Sequence, residues 1–177
     1  MRNRNALTFK IACEESEYGQ IHRLNYQTFV EEIPQRPANP ARSLVDVFHT
    51  ENTYVIGLQQ DTLVGMVAVR GQRPFSLDAK LADLDSYLPV GHSLCECRLL
   101  AIQPQCRNSA VFGGLLSLVT EHCREKGYTL ALISATLRQL KLYRHLGFVA
   151  FGPVVGTPEA PYQPMYLTED AYRAKLK

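Results

Sequence analysis

No stretch of the 177-residue chain is long and apolar enough to cross a bilayer. The longest candidate, Ser109 to Val119, holds Gly113 and Gly114 and ends at Thr120 and Glu121, whereas a span needs about 20 apolar residues. Nor is there a large excess of one charge. Nineteen Lys and Arg oppose 17 Asp and Glu, for a net charge of +2, too little to mark a protein that coats phosphate backbones. Nucleic acid is therefore not an expected partner. Internal repeats and low-complexity runs are absent, which argues against solenoids, fibres and disorder. The basic start, Met1-Arg2-Asn3-Arg4-Asn5, is followed by Leu7-Thr8-Phe9-Lys10 and not by an unbroken apolar core, so no secretion signal is expected and the cytoplasm is the expected location.

Cysteine is sparse and its spacing is uninformative. The five residues, Cys13, Cys95, Cys97, Cys106 and Cys123, are odd in number and contain no Cys-x-x-Cys pair, so buried thiols are expected and a disulfide framework is not. A zinc set drawn from Cys95, Cys97, His92, Cys106 and His122 lacks the ligand spacing of the common sites, and no metal is expected. What the chain does have is 46% hydrophobic, 20% charged and 9% aromatic residues. That is the make-up of one domain, residues 1–177, large enough to bury its own core.

Leu7, Phe9 and Ile11 alternate in a first strand, and Ser16 to Val30 follows as a helix whose Tyr18, Ile21, His22, Asn25 and Phe29 share one side. Glu14 and Glu15 suit its positive end. Pro34, Pro37 and Pro40 impose an extended loop, after which Leu44 to Phe48 reads as a short helix or turn. Thr53 to Gln59 and Leu63 to Arg70 are strand-like runs joined by Gln60-Asp61-Thr62, the spacing of an antiparallel hairpin. A loop from Gly71 to Pro89, with a helical piece around Leu77, Leu81 and Leu84, has the length of a cleft wall. Next come a strand (Leu94 to Ile102), a helix (Ser109 to Lys126), a buried strand (Thr129 to Ala135) and a helix (Leu137 to Leu146), with Gly127 and Gly147 at the expected C-caps. Phe148 to Pro153 and Gln163 to Leu167 close the sheet, and Glu169 to Lys177 is a polar, helical tail. Hairpins alternating with strand-helix units predict an α/β (α+β) fold with helices on a mixed sheet.

Three clusters could carry chemistry. The first is the turn Gln105-Cys106-Arg107-Asn108-Ser109-Ala110, where Asn108 can adopt positive φ, Ser109 can cap the following helix, and the helix N–H groups suit a phosphate; an ordinary strand-to-helix turn accounts for it equally. The second is Glu96 with Arg98, which pleating sets on the face opposite Cys95, Cys97 and Leu99. A carboxylate in a central strand is a general-base candidate, or else one half of an ion pair on a solvated face. The third is Tyr143, on a helix ending at Gly147. Its phenol could donate a proton to a leaving group, or it could be a core residue with one wet end.

Together the clusters resemble the GNAT superfamily of N-acyltransferases, in element order and in motif. Gln105, Asn108 and Ala110 stand at the defined positions of Q/R-x-x-G-x-G/A, with Asn108 in place of a glycine and Phe112 where a small residue is usual; Tyr143, Gly147 and Phe148 match Y-x-x-x-G-F. The resemblance implies a mixed, mostly antiparallel central sheet with helices on both faces. It implies direct transfer of an acyl group, acetyl by family habit, from acetyl-CoA or another acyl-CoA to a primary amine, with Glu96 taking the amine's proton and Tyr143 protonating the departing thiol. Leu100, Ala101, Ile102, Gln105, Arg107, Asn108, Ser109, Ala110 and Gly113 would then bind the donor, with N–H groups around Leu100 and Ile102 on the thioester carbonyl. A covalent acyl-cysteine route lacks a paired histidine.

The N-terminal half is similar to one branch. His22 to Glu32 follows R-x-x-Y-x-x-F-V-x-E through Arg23, Tyr26, Phe29, Val30 and Glu32, a pattern of N-acyl amino acid synthases and acyl-homoserine-lactone synthases. Glu96 to Ile102 is close to their E-x-x-R-x-A-V strand, with Arg98 one place early. This branch implies an alternative in which acyl carrier protein delivers a long acyl chain to an amino acid. A non-catalytic thioester-binding or interaction domain is the third reading. The acceptor would be a small-molecule amine chosen by the Pro34 to Phe48 and Gly71 to Pro89 loops, and self-association is open to the chain.

Overall fold

The computed structural model describes residues 6–176, so the basic start and Lys177 lie outside it. Among the described residues are eight strands and four α-helices. The chain forms two compact units, one running up to Val69 and including Leu99–His122, the other made of Arg70–Arg98 and the chain from Cys123 on.

In the first unit β1 (Leu7–Ile11), β2 (Thr53–Gln59) and β3 (Thr62–Arg70) pair antiparallel in that order. The β2–β3 turn is tight because Gln60 takes a left-handed φ of 58°. A register shift between Gly57 and Leu58 then brings Leu58 and Leu63 onto the same face as Ile56 and Met66. Helix α1 (Glu15–Tyr26) covers that face, packing Ile21 and Leu24 on Tyr54, Ile56, Met66 and Ala68. The other face takes α2 (Ser109–Lys126): a side chain at Gly65 would meet Leu115, Ile102 and Val111 at 3.1–3.2 Å, and one at Gly114 would strike the Phe9 ring at 2.1 Å. Helices thus lie on both faces of these strands, held close by small residues. Past Tyr26 the backbone widens into a π-helical turn, Gln27–Glu32, in which Thr28, Phe29 and Val30 remain buried. No helix forms over Leu44 to Phe48; Leu44 N–H bonds His22 O at 3.0 Å, while Val45 and Val47 are exposed.

Glu17 is a buried acid at the start of α1. Burial by itself would push its carboxyl up, but Lys10 Nζ at 2.7 Å and the N–H groups of Cys13 (2.9 Å) and Glu14 (3.1 Å) outweigh that and hold it below its ordinary value. Because the folded value lies below the unfolded one, this contribution is present above about pH 4.3 and drains as pH falls through the folded value. Glu17→Gln is expected to lower stability at pH 7 by about 1–3 kcal/mol and to flatten the acid limb. Denaturant unfolding at stepped pH reads both effects; parallel acid limbs would remove Glu17 as their source.

In the second unit β5 (Leu130–Thr136) pairs antiparallel with β8 (Ala160–Thr168) along its whole length. The start of β4 (Leu94–Ile102) lies parallel to β5, and the short β6 (Val149–Ala150) and β7 (Val155–Thr157) lie antiparallel on β8. The strand pairing is mixed and mostly antiparallel, as expected. The strand foreseen at Phe148 to Pro153 shrinks to two residues, and Gln163 Nε2 bonds Phe151 O instead, at 2.8 Å. β8 begins earlier than foreseen: the chain reverses at Pro158 and Glu159, and Gly156, at φ 96°, lets the backbone of Ala160 come close where a side chain would strike it. The Gly71 to Pro89 segment has one 3₁₀ turn (Leu84–Tyr87), and its Phe75, Leu77, Leu81, Leu84 and Leu88 join Leu130, Leu132 and Phe151 in the core. It is therefore core filling more than a cleft wall. Helix α3 (Leu140–Leu146) follows a 3₁₀ turn and stops at Gly147, left-handed at φ 102°. Thr168 caps α4 (Glu169–Lys175) by accepting from Ala171 N–H.

Candidate active site

Pleating sends Glu96 to the side of β4 opposite Cys95 and Cys97. Its side chain is 1% exposed, a placement a carboxylate tolerates only with partners. Ser76 supplies two: its N–H donates at 2.8 Å and its Oγ–H at 2.5 Å. Arg98 Nε stands 3.6 Å away and is itself largely covered. The ion pair thus exists, but the face is buried and not solvated. Ser76 lies twenty positions upstream in a loop, and no sequence signal pointed to it.

Directly after Glu96 the strand changes character. Parallel pairing with β5 runs Leu94↔Leu130, Cys95↔Ala131 and Glu96↔Leu132 and goes no further, although β5 continues to Thr136 against β8. At Leu99 the backbone turns left-handed, φ 57°, a conformation a bulky side chain rarely adopts and one that re-aims the following N–H and C=O groups. Alternation had cast this strand as regular.

Tyr143 on α3 is mostly covered and packs edge-on against Phe148, with ring centroids 5.6 Å apart. It shares the Ile133, Ala135 and Met165 cluster with Cys97, on the thiol side of β4. Burial first, and the Cys97 thiol next, push its phenol up to about 12, so it stays protonated at neutral pH. Glu96 and Tyr143 are consequently on opposite sides of one strand. Thiol–thiol hydrogen bonds and burial likewise push Cys95 and Cys97 well up, which makes them poor nucleophiles.

The remaining predicted donor-binding residues belong to the first unit. Ala101 is buried in its core, Ile102 O accepts from Arg107 Nε at 3.1 Å, and Leu100 is half-buried. Asn108 is not left-handed, and it, not Ser109, caps α2: its Oδ1 accepts from Ala110 N–H and Val111 N–H, both at 3.1 Å. A short polar side chain satisfies the helix end more cheaply than a strained φ would. Gln105, Ser109 and Ala110 are exposed, and Gly113 faces open space. Arg107 forks onto Glu32, with Nη1 at 2.9 Å from Oε1 and Nη2 on Oε2. The last residue of the R-x-x-Y-x-x-F-V-x-E pattern thus grips the turn before α2, while Tyr26 holds the proline loop through Asn39 N–H and O, both at 3.3 Å.

This architecture has known counterparts. FeeM, an N-acyl amino acid synthase from uncultured soil microbes, superposes with a TM-score of 0.77 at 17% identity, covering 96% of this chain and 94% of its own. The CoA-dependent acyl-homoserine lactone synthase BjaI gives 0.74 at 19% identity, covering 91% and 81%. An acyl-CoA N-acyltransferase from Pseudomonas aeruginosa gives 0.64 at 14% identity, covering 91% and 99%. At such identities these likenesses establish the fold. No curated protein matches the chain by sequence. A family model for the N-acyl amino acid synthase FeeM does match, over residues 20–169, and the chain belongs to that family of N-acyltransferases.

Proposed function

We propose that this N-acyltransferase joins an acyl group from a phosphopantetheine thioester to the amino group of an amino acid, by direct attack. The observation that carries the reading is Glu96, a buried carboxylate held by two Ser76 hydrogen bonds at the point where β4 leaves β5. Glu96 takes the proton of the attacking amine, directly or through water. Tyr143 donates a hydrogen bond to the departing sulfur. Burial pushes the phenol up to about 12, so it meets the sulfur in its protonated form, as a hydrogen-bond donor.

The turn before α2 favours a carrier-protein donor over free CoA. A pyrophosphate needs unpaired helix N–H groups and a cation, yet Asn108 Oδ1 already takes two of the N–H groups and Glu32 neutralises Arg107. A carrier protein presents the pantetheine arm without that nucleotide end. Acyl-CoA is the second reading, supported by the CoA-dependent neighbour. Asn108→Gly is expected to bind CoA about tenfold tighter by releasing donors to the phosphates, while losing only a few tenths of a kcal/mol of stability. Calorimetric titration with CoA and with pantetheine alone measures this; equal gains for both ligands would place the effect away from the phosphates.

The deciding experiment offers matched acyl-CoA and acyl-carrier-protein donors, from two-carbon to long chains, against a panel of amino acids and simple amines. Thiol release and product mass are followed. Turnover with long-chain acyl carrier protein and an amino acid is the expected result. Turnover with acetyl-CoA alone would replace it with the second reading, and tight donor binding without turnover would make this a thioester-binding domain.

A further inference from the structure

Cys95 and Cys97, two residues apart on β4, point the same way, and Cys123 in the last turn of α2 meets them. The Sγ atoms of Cys95 and Cys123 are 3.7 Å apart, and all three sulfurs lie within 4.8 Å of one another. None is in a disulfide, and Cys95 is fully buried. Zinc–sulfur bonds of about 2.3 Å around one ion put neighbouring sulfurs about 3.8 Å apart, so the sulfurs are already near the spacing of a shared ligand set. We propose that Cys95, Cys97 and Cys123 form a three-thiolate site for a divalent thiophilic cation of the zinc class.

Binding breaks three S–H bonds, forms three metal–sulfur bonds and passes three protons to the solvent. The resulting site carries a net charge of −1. A divalent ion suits an apolar surrounding better than Cu(I), which would leave −2. Three protein ligands leave one coordination position for water or an added thiol. Glu96 sits between two of the ligands on the strand and Tyr143 shares a cluster with Cys97, so an ion here would stiffen the segment that presents the proposed base. The site itself does not depend on the acyl-transfer reading.

Cd(II) serves as the probe, titrated into the reduced, metal-stripped chain carrying Cys13→Ser and Cys106→Ser, with a competing chelator and in neutral buffer. Expected are one Cd(II) per chain, thiolate-to-cadmium charge-transfer absorption, displacement by Zn(II), and protection of three thiols from alkylation as read by intact mass. Cys97→Ala and Cys123→Ala, each checked by circular dichroism for retained fold, should weaken binding by more than about a hundredfold. Absorption and protection unchanged in both alanine variants, or absent from the parent, would overturn the site. Because the protection assay uses a chain with all three thiols, it decides the question even where a variant fails to fold.

Discussion

Glu96→Gln should lower kcat by about 10²- to 10⁴-fold, the range contributed by a positioned general base. The amide keeps the shape of the carboxylate but cannot accept the amine's proton. Its oxygen can take Ser76 N–H, but its Nε2 must then donate to Ser76 Oγ, which turns from donor to acceptor, and charge-assisted bonds become neutral ones. Some loss of stability therefore accompanies the loss of activity, and denaturation curves must be recorded beside the kinetics. Ser76→Ala separates the two effects: it removes the 2.5 Å hydrogen bond yet leaves the carboxylate and the backbone donor in place. Its loss in kcat should be about tenfold. A Glu96→Gln enzyme that is folded and within about threefold of the parent would exclude Glu96 as the base.

Tyr143→Phe should cost about 10²-fold in kcat with KM little changed, since the hydrogen bond to sulfur strengthens only as the thiolate forms. Phenylalanine keeps the edge contact with Phe148 and the apolar surroundings, so the fold should hold. A donor with a more acidic leaving thiol, such as an aryl thioester, tests the role directly. It needs less stabilisation of its departing sulfur, and the gap between parent and variant should shrink to a few-fold. An undiminished gap would assign Tyr143 to positioning of the donor.

Much of the scaffold was readable from local pattern. Alternation marked β1, β-rich composition and hairpin spacing marked β2 and β3, an apolar run marked β4, helical spacing marked α1 and α2, and Gly147 marked the end of α3, because such signals depend on neighbours within a few residues. Errors arose where distant groups overrode local preference. Prolines at 161 and 164 masked the length of β8, and of the short helix or turn read over Leu44 to Phe48 only turns from Val47 on are formed, with Val45 and Val47 exposed. At the site, Glu96 and Tyr143 could be picked out by residue type and motif. Ser76 and Glu32 could not be assigned their roles, since each acts on a residue 20 or 75 positions away. Nor does spacing along the chain show that Cys95, Cys97 and Cys123 meet: β4 and α2 bring the three sulfurs together across an interval of 28 residues.

From the sequence alone came the mixed sheet, its flanking helices, the acyltransferase resemblance and the candidate base and acid, Glu96 and Tyr143. Those follow from periodicity and short motifs, which are local properties of a chain. Only tertiary structure decided that Glu96 is buried against Ser76, that β4 leaves β5 and kinks at Leu99, that Asn108 and Glu32 engage the donors of the turn before α2, and that three thiols converge. Each of these rests on a hydrogen bond, a backbone angle or a van der Waals approach between groups that meet only once the chain has folded.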